Sequence, residues 1–228
     1  KASASSVDTA SKVANIASIV DKIATLAAGG TVTPALAETD FATIGITGVN
    51  ASNLAIVNSY INSTADDGTG IDTLSEIQAL ANAVVKTTIL SDGTLGNGAA
   101  SNLTNTDITA LGLAATINDT EELKLFNEVL DKASATSVDT ASEVKNLASI
   151  VDRIATVAAG GTASPSLSAA DFTAIGITDM TTARATDLVT KIAATADDGT
   201  GVDTLAEIQA LVDTNAPSAP VINTIAGN

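Results

Sequence analysis

Residues 1–82 align without a gap on residues 132–213, with roughly three-fifths of the positions identical, and internal similarity at a fixed period marks a repeat array. The phrases Val7-Asp8-Thr9, Ile71-Asp72-Thr73, Val138-Asp139-Thr140 and Val202-Asp203-Thr204 each open a run of apolar residues at helical spacing. They recur roughly every 65 residues, so the chain divides into small units that must each fold on a modest core. Units of that size gain stability from neighbours, metals or disulfides, and disulfides are excluded because there is no Cys.

Three patterns build each unit. The first is Leu36 to Phe41 with Ile44-Gly45-Ile46, then Leu103 to Ile108 with Leu111-Gly112-Leu113, then Leu167 to Phe172 with Ile175-Gly176-Ile177. Thr104 or Ser168 can cap a helix there, Asp107 or Asp171 sits three residues on, and the Gly that follows suits a left-handed C-terminal position. This predicts a short helix of two or three turns. In the first copy Ala37 stands at the cap, which predicts a weaker start or one shifted towards Thr33-Pro34.

The second pattern is a middle helix around Leu54, Val57 and Ile61, or Leu123, Phe126 and Leu130, with Asn50 as a cap in the first copy. Residues 48–60 share no identity with 179–191, although the text on either side matches. The third pattern is the long helix after each VDT phrase, where Thr73 and Glu76, Thr140 and Glu143, and Thr204 and Glu207 have capping-box spacing. At Thr9 the partner is Lys12, so the box is broken. Val13, Ile16, Val20 and Ile23 repeat at three- and four-residue steps, as do Val144, Leu147, Val151 and Ile154, until Gly29-Gly30 and Gly160-Gly161 end the helices.

The distance from Asp40 to Ile71 recurs from Asp107 to Val138 and from Asp171 to Val202, whereas the step from long helix to next short helix varies. Constant spacing marks a module, and variable Gly-rich text such as Ser91 to Gly98 marks a linker. The expected fold is all-α: tandem three-helix modules at 31–90, 101–160 and 161–214, joined by Gly-rich linkers. Residues 1–30 read as the last helix of a preceding module, in a piece excised from a longer protein. At 215–228, Pro217 and Pro220 exclude a helix and Val221 to Ile225 alternate, which predicts a linker and short extended tail opening a truncated β-rich domain.

A formal charge of −16 argues against nucleic acid and anionic membranes as partners, and no apolar run approaches the ~20 residues of a membrane span. There is no His or Cys, and Tyr60 is the only Tyr, so Ser and Thr lack a recognisable base and no enzyme is expected. Calcium is the specific ligand the residues suggest. Asp66, Asp67, Asp72 and Glu76, and their counterparts Asp197, Asp198, Asp203 and Glu207, gather oxygen ligands around Gly-containing turns, the chemistry hard cations want. The EF-hand register is not met, since Ala65 falls where the first Asp belongs. The same-length loop at 132–138 keeps its place with Lys132, Ala133 and Ser134 instead. On the competing view Gly permits the turn and Asp favours the positive helix start.

The phrases ADFTAIGIT at 170–178 and TADDGTGVDTLAEIQALVD at 195–213, echoed at 39–48 and 64–80, resemble the GA-like three-helix modules of large bacterial biofilm-associated adhesins. The tail APSAPVINTIAGN is similar to the opening of the Ig-like repeats of those adhesins. The resemblance implies an extracellular, type I secreted protein of the bacterial cell surface in which these modules form part of a stalk. The expected function is a non-catalytic spacer in adhesion or biofilm formation, a monomer packing against neighbouring repeats of its own chain. The alternative is a binding module that meets an extracellular protein or matrix polymer through the variable middle helices at 50–63, 119–131 and 182–194, with calcium at the ADDGTG loops.

Overall fold

A computed structural model describes residues 8–64, 71–94, 96, 101–195 and 201–213. Among these residues the regular structure is helical, with no β-strand and one isolated bridge, Asp92 to Ser134. The chain is all-α in class. The helices are α1 (Ala10–Ala27), α2 (Glu38–Thr43), α3 (Leu54–Asn62), α4 (Leu74–Leu90), α5 (Asn105–Ala110), α6 (Thr120–Lys132), α7 (Ala141–Ala158), α8 (Ala169–Ala174), α9 (Thr182–Ile192) and α10 (Leu205–Asp213). None is long and apolar enough to cross a membrane. The expected extended tail at 215–228 lies outside the described residues, as does most of each ADDGTG loop.

Local chemistry sets the helix ends. At α4 the Glu76 carboxylate accepts the Thr73 N–H at 2.8 Å while Thr73 Oγ1 accepts the Glu76 N–H at 3.3 Å, the reciprocal exchange of a capping box. Thr140 and Glu143 repeat it at 3.0 and 3.3 Å, and Thr204 and Glu207 at 3.0 and 3.2 Å. At α1 only half of the exchange exists: Thr9 Oγ1 accepts the Lys12 N–H, and Lys12 turns its ammonium to Asp8 at 2.7 Å. Gly29 and Gly160 end α1 and α7 with φ of 75° and 78°. The N–H of the following Gly30 or Gly161 then reaches back to Thr25 or Thr156 at 2.8 Å, where a Cβ would strike that carbonyl.

The short helix α2 decides between the two starts expected of it, a weaker one in place or a shifted one. It begins at Glu38 and is not displaced to Thr33-Pro34, because Asp40 accepts the Ala37 N–H at 3.1 Å even though Ala37 offers no side-chain acceptor in return. Asn50, the expected cap, lies three residues before Asn53, the N-cap of α3, and serves the turn ahead of it. Its Oδ1 accepts the Ser52 N–H at 2.9 Å and caps a turn that leads into α3.

Two compact units are distinguished, residues 1–152 and 153–228, with the division falling inside α7. In the first, α3 packs on both α1 and α4, and α4 packs on both α5 and α6. Ile19, Phe41, Ile56, Tyr60, Ile61 and Leu80 are among the largest side chains buried there, with Ile108, Leu111, Phe126 and Leu130 further along. In the second, α9 packs on α8 and α10 around Phe172, Leu188, Ile192 and Ile208. Each of the three Phe is fully buried, and truncating one to Ala costs about 3–5 kcal/mol in cores of this kind.

Candidate functional site

The acidic helix starts carry the metal-ligand candidates. Asp66, Asp67, Asp197 and Asp198 lie outside the described residues. Of the others, Asp72 is exposed and Asp203 is buried. Glu76 and Glu207 are engaged by their capping boxes, where each carboxylate also accepts the threonine hydroxyl at 2.8 Å. These hydrogen bonds from Thr73 hold the Glu76 carboxyl below its ordinary value, so it is ionised without help from a metal. Among the described residues no three His, Cys, Asp or Glu side chains converge as a metal would require.

The corresponding loop at 132–138 is described in full and closes through hydroxyls. Residues Ala135–Ser137 form a 3-10 turn, Ser137 Oγ donates to the Ser134 carbonyl at 2.8 Å, and the Ser134 hydroxyl meets those of Thr136 and Ser137 at 3.1 Å. After it, the neighbouring Glu143 carboxylate raises the Asp139 pKa, while burial, which would raise Glu143, is outweighed by hydrogen bonds from Thr140 and then Asp139 that bring it below its ordinary value.

A different acidic residue is used the same way three times. The Asp in the first turn of each short helix meets a cation on the preceding long helix: Lys22 to Asp40 at 3.1 Å, Lys86 to Asp107 at 2.6 Å, and Arg153 to Asp171 at 2.8 Å. Each of these carboxylates also accepts the N–H of its cap residue, Ala37, Thr104 or Ser168. One carboxylate therefore starts a helix and fastens it to the helix before. Burial alone would raise Asp107 and Asp171, but the bonds from Lys86 and Thr104, and from Arg153 and Ser168, outweigh it and bring both below the ordinary value.

Amide side chains add a second recurring link. Gln78 on α4 accepts the Thr47 N–H at 2.8 Å and donates to the Thr47 carbonyl at 3.1 Å, and Gln209 on α10 accepts the Thr178 N–H at 2.9 Å. On α6, Asn127 does the same to Leu103, accepting at 2.7 Å and donating at 3.1 Å. After α4, two glycines are tied down as well. Gly93 donates to the Ala133 carbonyl at 3.0 Å, and the Gly96 N–H is held by the Asp131 carboxylate.

The middle helices present little for a partner to grip. Their exposed positions are Ala55 and Asn62 on α3, Thr120, Glu121, Lys124 and Lys132 on α6, and Thr182, Ala183, Thr186, Asp187 and Thr190 on α9. Among the described residues the exposed large apolar side chains are Val13, Val20, Leu74 and Ile89, all on α1 and α4. Sequence patterns identified the capping residues but missed Lys22, Lys86 and Arg153. The available signal was that each cation precedes its Asp at nearly constant distance in every copy. No protein-family model matches this chain, and no curated protein or solved structure matches it.

Proposed function

We propose that this chain is a non-catalytic structural spacer, a stalk segment of a large bacterial cell-surface adhesin. It consists of tandem three-helix modules at 31–90, 101–160 and 161–214, secreted to the extracellular side and packing against neighbouring repeats. The supporting observation is where the specific interactions are spent. Recurring, half-buried ion pairs fasten helix to helix (Lys22 to Asp40, Lys86 to Asp107, Arg153 to Asp171), while the exposed positions of the variable middle helices carry only small or polar side chains. An interaction patch is expected to expose contiguous apolar surface, and a spacer is not. The phrases shared with GA-like modules of adhesins supply the context of cell surface and biofilm.

A spacer must be longer than it is wide. A compact globule of 228 residues has a radius of gyration of roughly 17 Å. Small-angle scattering from the monomer is expected to give a value well above that, with an asymmetric distance distribution. A radius near the compact figure removes the spacer reading.

A further inference from the structure

The variable middle helix gives the first and last modules different partners at equivalent points. Leu36, Asn58 and Ser59 correspond to Leu167, Val189 and Thr190 in the duplication. The cap residues Ala37 and Ser168 share a φ of −117°, so the carbonyls of Leu36 and Leu167 point the same way, toward the middle helix. In the first copy the chain itself uses both acceptors: Asn58 Nδ2 donates to the Leu36 carbonyl at 3.4 Å, and the Ala141 N–H donates to Ser59 Oγ at 3.0 Å. In the last copy Val189 has no donor to offer. Among the described residues nothing donates to the Leu167 carbonyl or to Thr190 Oγ1.

These two acceptors border a cleft of about 460 Å³ between residues 161–167 and α9. Val157 and Leu167, both buried, and the half-buried Val189 give it apolar walls, and Ser166, Thr186 and Thr190 add hydroxyls. Its volume lies in the range of small-ligand sites. Thr186 and Thr190 each spend their proton on the carbonyl four residues back, at 3.2 and 3.1 Å, so toward a ligand their oxygens can only accept. No ionisable side chain lines the cleft, so a charged ligand would lose water there without gaining a counter-charge. An uncharged body that brings hydrogen-bond donors suits it best. In the first copy those donors are amide N–H groups, one from a side chain and one from the backbone.

We propose that the cleft between residues 161–167 and α9 binds an uncharged, amide-bearing peptide segment, whose N–H groups bond to the Leu167 carbonyl and the Thr190 hydroxyl as Asn58 and Ala141 bond to their counterparts. A spacer can carry such a cleft, and so can a chain that is no spacer, so the binding test and the scattering test fail separately.

The probe is the capped tripeptide acetyl-Ala-Asn-Ala-amide, titrated into the isotope-labelled chain while amide NMR shifts are followed. Saturable shifts are expected at Ser168, Val189 and Thr190, and weaker ones when Asp or Lys replaces the Asn of the peptide. Val189→Asn sets the chain's own amide opposite the Leu167 carbonyl, as in the first copy, and Thr190→Val removes the second acceptor while keeping its shape. Each should weaken binding by about fivefold or more. The absence of saturable shifts up to the solubility limit of the peptide, or equal affinity in the wild type and both variants, overturns the proposal. Equal or tighter binding of the Asp or Lys peptide overturns it as well, and tighter binding of glucose assigns the cleft to a saccharide instead.

Discussion

Removing Asp171 should cost more than removing its partner Arg153, although both changes break the same ion pair. Arg153 is the more deeply placed, with its side chain 7% exposed against 19% for Asp171. Asp171→Ala leaves a guanidinium in that setting and also removes the carboxylate that accepts the Ser168 N–H at 2.7 Å. Removing the partner of a buried charge costs about 3–5 kcal/mol, here toward the lower figure because Arg153 keeps its bond to the Pro165 carbonyl and the Asp side reaches solvent, and losing a cap adds about 1 kcal/mol. The expected loss is about 3–4 kcal/mol. Arg153→Met leaves Asp171 near solvent with its Ser168 bonds intact and is expected to cost about 1–2 kcal/mol. In the double variant the guanidinium that lost its carboxylate is gone, so its loss should fall short of the sum by about 1–3 kcal/mol. Urea unfolding followed by helical circular dichroism measures all three. Additivity within about 0.5 kcal/mol, or an Asp171→Ala loss no greater than that of Arg153→Met, refutes the double use of this carboxylate.

Tyr60 is buried with no partner for its hydroxyl, and burial pushes its pKa up, so Tyr60→Phe should leave the Tm unchanged or raise it; a clear fall would mean the hydroxyl is satisfied. Asp107 and Asp171 have folded pKa values below the ordinary 3.8, so their contribution is full above that pH and lost as pH falls through the folded values. Glu122 works in the opposite direction, since burial raises it from 4.5. The Tm of the wild type should therefore drop more steeply below about pH 4 than that of Asp107→Asn, and parallel curves would contradict the assignment. Thr73 and Glu76 close their helix start without a cation, so adding calcium after a chelator is expected to move the Tm by less than about 1 °C. A rise that grows with calcium concentration would assign calcium to the ADDGTG loops.

Much of the helical layout was legible because its causes are local. Thr73 and Glu76, Thr140 and Glu143, and Thr204 and Glu207 announce their boxes at three-residue spacing, and the boxes form. The start at Ala37 lacks its side-chain cap, as the sequence implies, but it stays in place because Asp40 holds it, itself gripped by Lys22 from another helix. A lysine on an amphipathic helix ordinarily means a solvated face, and nothing within one helix distinguishes Lys22 or Lys86 from that. The segment 91–98 reads as a hinge from its glycines alone. Its attachments are to Ala133, Ser134 and Asp131, more than thirty residues away, and a contact at that separation leaves no local trace. At the acidic loops, half of the proposed ligands lie outside the described residues. For the rest, Asp and Glu at a helix start serve the backbone and a cation equally well, and composition does not separate the two.

Successive helix groups are fastened to one another by the cation-to-Asp links and, after α4, by the backbone of Gly93 and Gly96 bonded to Ala133 and Asp131. Native-state hydrogen exchange at the junction of α4 and α5 tests this fastening most directly, since exchange protection reports the free energy of local opening. The amides of Gly93, Thr104 and Asp107 should be protected to a level close to those in the body of α4, and Lys86→Met should lower protection in α5 while leaving the start of α4 unchanged. Exchange at Gly93 as fast as in an open chain, with α5 insensitive to Lys86, would make the junction a free hinge and contradict the account.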